Sequence, residues 1–254
     1  MPVHQAAQSG FTKASDTYVA GRPGYPAQID GWLKDTLVIS AGMQVVDLGA
    51  GTGKFTKHLI GSGAHVIAVE PVEAMLDQLR QSHPAVRAVE GAATSIPLES
   101  ASVDAVFCAQ SFHWFASMEA VEEIRRVLKP GGIMALVWNV RDETCDWVAE
   151  LSRIMAPYEE GTPRFHHGHW RSVFPADGFA PLQEMTFEHN HRGEFQSVVL
   201  DRILSVSFIA ALPQSERDTV ECQIRDLVNL FSGLGDESDV SFPYQTFVTW
   251  TIKI

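Results

Sequence analysis

The chain has 254 residues, 45 % of them apolar, and a formal net charge of −12 at neutral pH. There is material for one large core or for a core with a smaller addition, and the acidic balance argues against general binding to a nucleic-acid backbone, which draws on clustered Lys and Arg. Three widely spaced cysteines, Cys108, Cys145 and Cys222, argue against a disulfide scaffold and for a reducing, cytoplasmic setting. No stretch approaches the roughly 20 apolar residues that span a bilayer. Residues Met1 to Gly10 lack the basic head and apolar run of a secretion signal.

In chain order, Ile29 to Val38 is predicted helical with Trp32, Leu33 and Leu37 turned inward, and Gly42 leads into a first strand, Gln44 to Leu48. A glycine-rich bend from Gly49 to Gly53 follows, then a helix-compatible run, Lys54 to Ile60. His65 to Val69 is the second strand and ends on Glu70; Pro71 opens a helix containing Met75, Leu76 and Leu79. Val86 to Val89 and Val103 to Cys108 are further strands. Glu119 to Leu128 reads as a helix stopped by Pro130-Gly131-Gly132, and Ile133 to Trp138 as a fifth strand. Strands buried on both faces and separated by helices make a parallel sheet, whose ligand edge is the carboxyl end of the strands. Asp47, Glu70, Gln110 and Asn139 all fall there.

The second half carries weaker signals. Asp146 to Tyr158 is predicted helical and Pro157 to His169 a polar loop; Pro181 to His189 alternates as a strand. Ser197 to Leu212 and Ser215 to Phe231 are predicted as amphipathic helices, Gly233 to Asp239 as a turn, and Tyr244 to Ile254 as the last strand. Helices placed before that strand can cap the binding edge. The expected organisation is an arm and helix over residues 1–40, a ligand-binding core over 41–140, and a completion of the sheet with a helical cap over 141–254.

The glycine bend carries the chemistry. Two β-branched residues, Val45 and Val46, deliver the backbone onto alternating glycines, which admit a tight turn and a close ligand. Glu70, 17 residues beyond Gly53, can accept hydrogen bonds from two ribose hydroxyls. A dinucleotide fingerprint wants glycine at first, third and sixth positions. Counting from Gly49 the sixth is Lys54, and counting from Gly51 it is Thr56, so that pattern fits poorly. A phosphate-cradling Gly-Lys loop would need Ser or Thr where Phe55 stands. An aspartate at 47 costs energy beside phosphates but suits a ligand with an ammonium group.

These runs, "VVDLGAGTGKFTKHL" at 45–59, "VIAVEP" at 66–71, "SVDAVFCAQSFHWF" at 102–115, "LKPGG" at 128–132 and "YVAGRPGYP" at 18–26, resemble the class I S-adenosylmethionine-dependent methyltransferases. Within them the chain is similar to the ubiquinone/menaquinone-biosynthesis type and its trans-aconitate-like branch. The resemblance implies an α/β fold, Rossmann-like, with a seven-stranded mixed sheet, helices on both faces and an antiparallel last strand. It implies S-adenosylmethionine as cofactor and S-adenosylhomocysteine as product. Asp47, Gly49, Ala50, Gly51 and Gly53 would surround the methionine portion, Glu70 would take the ribose, and Pro71 and Met75 would lie against the adenine. Ala92 and Ala93 occupy a stretch that in the family commonly reads Gly-Asp-Ala, so Ala92 removes one polar contact to the adenine. Tyr18 would close on the donor, Gln110 would lie near it, and Arg22 would meet an acceptor carboxylate.

Ser111, His113, Trp114, Trp138 and Asn139 are the substrate-side candidates, with His113 either the base or a group that orients the acceptor. The expected reaction is direct methyl transfer to a small-molecule oxygen (carboxylate, phenol or enol). The alternative is a methyltransferase-like fold that binds the donor or another ligand without transferring methyl, in a scaffold or a pericyclase- or isomerase-type role. His166, His167 and His169 cluster in sequence without an acidic or cysteine partner at ligand spacing, so no metal centre is expected. The expected partners are a small-molecule acceptor, no nucleic acid and no membrane, with the chain a monomer or homodimer.

Overall fold

A computed structural model describes residues 23–159, 161–231 and 239–254. Seven strands form one mixed sheet in the order β3-β2-β1-β4-β5-β7-β6. They are β1 (Gln44–Leu48), β2 (His65–Glu70), β3 (Arg87–Glu90), β4 (Val103–Ala109), β5 (Leu128–Arg141), β6 (Gln183–Gly193) and β7 (Val240–Ile252). The first five run parallel; β7 is antiparallel to both β5 and β6. The expected seven-stranded mixed sheet with an antiparallel last strand is therefore what the chain forms.

Strands β1 and β4 lie inside the sheet and carry buried residues on both faces. Val45 and Val46 are fully buried yet serve opposite cores. Over one face, Val46, Leu48 and Val106 pack with Val121, Ile124 and Val127 of α4 (Met118–Val127), a helix capped when the Ser117 side chain accepts from Ala120 N at 3.2 Å. Over the other, Val45 and Phe107 pack with α1 (Gln28–Gly31), the turn Trp32–Thr36 that extends it, and α2 (Thr56–Gly61). The helix after β2 is α3 (Glu73–Ser82), with Met75, Leu76 and Leu79 buried as their spacing predicts.

A third core joins α5 (Asp146–Met155) to the helical segments between β6 and β7 and to Phe242 and Tyr244 at the start of β7. Ser197–Leu212 is not one helix. A π-helical stretch, Gln196–Asp201, leads into α6 (Arg202–Leu204); the chain then breaks and resumes as α7 (Ser207–Ala210). Ser205 still bonds back to the Asp201 carbonyl at 3.0 Å while its Oγ donates to the Arg202 carbonyl at 2.9 Å, and the break comes at Val206, which is extended. α8 (Gln214–Leu230) closes the cap. Strand β5 also begins earlier than expected: Leu128 already pairs with Val103, and the Pro130-Gly131-Gly132 run lies in an irregularity of the β4–β5 register instead of outside the sheet. Among the described residues, no helix is long and apolar enough to cross a membrane.

Candidate active site

A cavity of about 1210 Å³ opens along the carboxyl ends of β1, β2, β4 and β5 and continues beneath the cap to Arg202 and Ser207. Its volume exceeds the ~300–1,000 Å³ usual for one small ligand, so donor and acceptor have room together.

At one end the chain leaves β1 through Gly49, Gly51 and Gly53, all at positive φ (71°, 57° and 87°). Gly49 N and Ala50 N donate to the Val69 carbonyl, at 2.8 and 3.3 Å, which folds the loop across β2. The Glu70 carboxylate then fixes it: Oε2 accepts from Gly51 N at 2.9 Å and Oε1 from Val72 N at 3.0 Å. Burial raises the Glu70 pKa, and these two backbone donors oppose that rise. A carboxylate offers about four lone-pair sites, so two remain for paired hydroxyls. Pro71, Met75, Ala92 and Ala93 form the adjoining wall. A β-carbon at Gly51 would meet nothing nearer than Met75 Sδ at 3.9 Å, which leaves the loop open on its cavity side. An open cradle beside a carboxylate with two free lone-pair sites fits S-adenosylmethionine, whose amino-acid end Ala50 and Gly51 would flank and whose ribose Glu70 would meet.

Two expected contacts are corrected. Asp47 does not line the cavity; it lies behind the loop, fully buried, accepting from Thr56 Oγ1 at 2.7 Å, while its Oδ1 is buried with no partner. Its carboxylate ties β1 to the first residue of α2 through the Thr56 side chain. Gly53 faces away as well, into a smaller recess with Lys57 and His83, and its carbonyl meets His83 Nε2 at 3.2 Å. Tyr18 and Arg22 lie outside the described residues.

Burial lifts the Asp47 carboxyl to about 7; the Thr56 hydrogen bond lowers it and the Glu70 charge raises it. A carboxyl raised on folding favours the native state while protonated and loses that advantage as pH rises from its unfolded value of 3.8 toward about 7. Between pH 5 and 7 the ligand-free protein should therefore lose about 2–3 kcal/mol through this group. Glu70, shifted in the same direction, adds to the loss. In denaturant titrations at those two pH values, Asp47→Asn should show a visibly smaller loss; an unchanged slope would remove Asp47 as the source.

On the substrate side, Gln110 sits just past β4 at φ 58°, an unusual value for a non-glycine residue, held by Gln110 N to Val137 O at 2.8 Å and by Nε2 to the Asn139 carbonyl at 2.9 Å. Ser111 Oγ donates to Leu48 O at 2.7 Å, which ties β4 to the glycine loop. His113 and Trp114 line the cavity from the short turn Phe112–Trp114. The Trp138 indole N–H donates to His113 Nδ1 at 3.1 Å. Trp138 itself is 1 % exposed and packs on Trp170 and Phe165, so it serves the site chiefly through that bond. Asn139 reaches the cavity wall, but its amide is used in structure: Nδ2 donates to Gly24 O at 2.8 Å and Oδ1 accepts from Thr246 at 2.6 Å.

Residues not singled out from sequence complete the cap end of the cavity: Arg202 and Tyr244, brought in by the cap and by β7. Arg141, at the end of β5, joins them. At the rim, Glu159 pairs with Arg164 at 2.9 Å and meets His166 at 3.5 Å. Glu159, His166 and His167 place ligand-type atoms within 4.8 Å of one another, so the fold supplies the acidic neighbour that sequence spacing does not show.

Residues 46–136 match the methyltransferase domain family. An uncharacterized methyltransferase-like protein of Schizosaccharomyces pombe is 39 % identical over 231 residues, 90 % of this chain and 90 % of that one. An uncharacterized methyltransferase of Mycobacterium bovis is 37 % identical over 236 residues, 93 % and 92 % of the two chains. A malonyl-acyl carrier protein O-methyltransferase of Pectobacterium atrosepticum is 34 % identical over 96 residues, 37 % of this chain and 38 % of that one. The YcgJ protein of Bacillus subtilis shares the fold, with a TM-score of 0.56 at 22 % identity over 90 % of this chain and 99 % of that one. With 39 % identity to a methyltransferase-like relative over nine-tenths of both chains and the sheet topology described above, the chain belongs to the class I S-adenosylmethionine-dependent methyltransferases, enzymes that use S-adenosylmethionine as methyl donor.

Proposed function

We propose that this enzyme methylates a carboxylate oxygen of a small-molecule acceptor held beneath the cap. The observation that carries this reading is the Trp138–His113 bond. An indole N–H can only donate, so the Nδ1 lone pair of His113 is engaged and the ring proton of the neutral imidazole sits on Nε2. His113 lines the cavity with its Nδ1 already engaged, which supports a role in holding an acceptor that already carries negative charge over the base function that a phenol or enol needs. A carboxylate, with a reference pKa near 4, is ionised at neutral pH and needs no base. The bound donor supplies a methyl group already activated by its sulfonium. What remains for the protein is to orient the acceptor oxygen and exclude water. Gln110, Ser111 and His113 shape the middle of the cavity for that, and the partial likeness to an O-methyltransferase supports oxygen as the accepting atom. The parts 1–40, 41–140 and 141–254 serve on this reading as closing arm, donor core and acceptor cap.

His113→Ala and His113→Gln test it. Loss of an orienting donor should lower turnover about tenfold in the alanine variant, and glutamine, whose amide N–H can donate, should recover most of it. The pH profile should stay flat near 6.5 in all three proteins. A fall of about 10²–10⁴-fold in both variants, with a wild-type rate that rises through pH 6.5, would identify a general base and refute the carboxylate reading.

A further inference from the structure

Glu159, His166 and His167 converge at the rim of the cavity, where one ligand-type atom from each lies within 4.8 Å of the others. Glu159 ends the short turn Ala156–Tyr158 that follows α5, and with His166 it lines the cavity wall. Its Oε2 stands 3.5 Å from His166 Nε2, long for a charge-assisted hydrogen bond. Two ligand atoms of a tetrahedral Zn²⁺, each about 2.0–2.1 Å from the ion, stand about 3.3–3.4 Å apart. This pair already has the separation that a shared ion needs. Any wider gap involves His167, which is exposed and has room to turn its ring toward the other two.

The ligand groups are held by their surroundings. Glu159 Oε1 pairs with Arg164 Nε at 2.9 Å, and the Arg164 guanidinium lies 5.3 Å over the Phe208 ring. Ligating carboxylates are commonly oriented by such an outer partner, and Oε2 is left for the ion. The backbone beside the histidines is anchored as well. Phe165 packs on Trp138, Trp170 and Phe247, and its carbonyl accepts from Gly168 N at 3.0 Å and Trp170 Nε1 at 3.2 Å. The Arg164 charge opposes a cation here, while the net charge of −12 favours one.

We propose that Glu159, His166 and His167 bind a borderline divalent cation, of which Zn²⁺ is the type, at the rim of the cavity. Two imidazoles and one carboxylate are the donor set of such ions, whereas Mg²⁺ and Ca²⁺ take oxygen ligands. The ion ties the end of the turn after α5 to the loop that carries both histidines. With three protein ligands it keeps a position for water or for an oxygen of a molecule in the cavity. The site is independent of which atom receives the methyl group.

The test uses the full chain, free of any affinity tag and stripped with a chelator, saturated with S-adenosylhomocysteine. Calorimetry with Zn²⁺ alone should show one saturable equivalent at micromolar concentrations. Co²⁺ should give intense visible absorption that Zn²⁺ abolishes, and Mg²⁺ at about hundredfold excess should not displace either ion. His167→Ala and Glu159→Gln should each weaken Zn²⁺ binding at least about tenfold, and His166→Ala with His167→Ala should abolish the equivalent. Undiminished S-adenosylhomocysteine affinity shows that the variants fold. No saturable equivalent in the wild type, or one that survives in the double variant, overturns the site. Displacement by Mg²⁺ overturns the assignment to a borderline cation.

Discussion

Glu70→Ala is expected to weaken S-adenosylhomocysteine binding by about 10²-fold or more. Two hydrogen bonds from ribose hydroxyls to a carboxylate contribute roughly 1.5–3 kcal/mol each, and a factor of ten needs about 1.4 kcal/mol. The same carboxylate accepts from Gly51 N and Val72 N, so its removal also unpins the glycine loop from the end of β2. Sheet and cores should persist, because Glu70 lies at the strand end and none of the three apolar clusters includes it. Calorimetry together with a thermal melt reads both effects. An affinity within about threefold of wild type would remove Glu70 from the ribose site.

Gly49→Ala should be the most damaging single methyl in the donor loop. A β-carbon there would stand 2.6 Å from Ser111 Cβ and 3.0 Å from its Oγ. Ser111 cannot swing aside without giving up its bond to Leu48 O. The φ of 71° adds the strain of a left-handed alanine, about 1–2 kcal/mol. Together these should cost about 3 kcal/mol or more of stability, with donor binding falling at least about tenfold. Gly51→Ala is the contrast, since its added carbon meets only Met75 Sδ at 3.9 Å. It should cost about 1 kcal/mol of stability while projecting into the donor's space. Chemical denaturation that ranks Gly51→Ala below Gly49→Ala would contradict the steric account.

The glycine loop and the placement of Glu70 at the sheet edge were legible because their determinants are local. Strand, glycines and Glu70 lie within one short stretch, and β-branched runs ending in glycine or an acidic residue place them on the sheet edge. Asp47 shows where local reading fails. Its position at the end of β1 is plain from sequence, but whether its side chain turns to the ligand or back toward Thr56 depends on how α2 packs. The acceptor half was less legible for the same reason. Arg202 and Tyr244 meet Arg141 only because a broken helix and an antiparallel strand return to the end of β5, and neither residue carries a local motif. The break at Val206 also has no clear signature, since the apolar periodicity of Val198, Val199, Ile203 and Ile209 runs straight across it.

The most direct test of the proposed chemistry is the alkali lability of the transferred methyl group. The enzyme is incubated with S-adenosylmethionine labelled in its methyl group and a panel of small carboxylic, phenolic and enolic acceptors, and the products are treated with base. Carboxylate transfer makes methyl esters, so the label should leave as volatile methanol and should come from the carboxylic acids. Label that stays on the product through alkaline hydrolysis, as an aryl ether or a carbon-bound methyl, would contradict it.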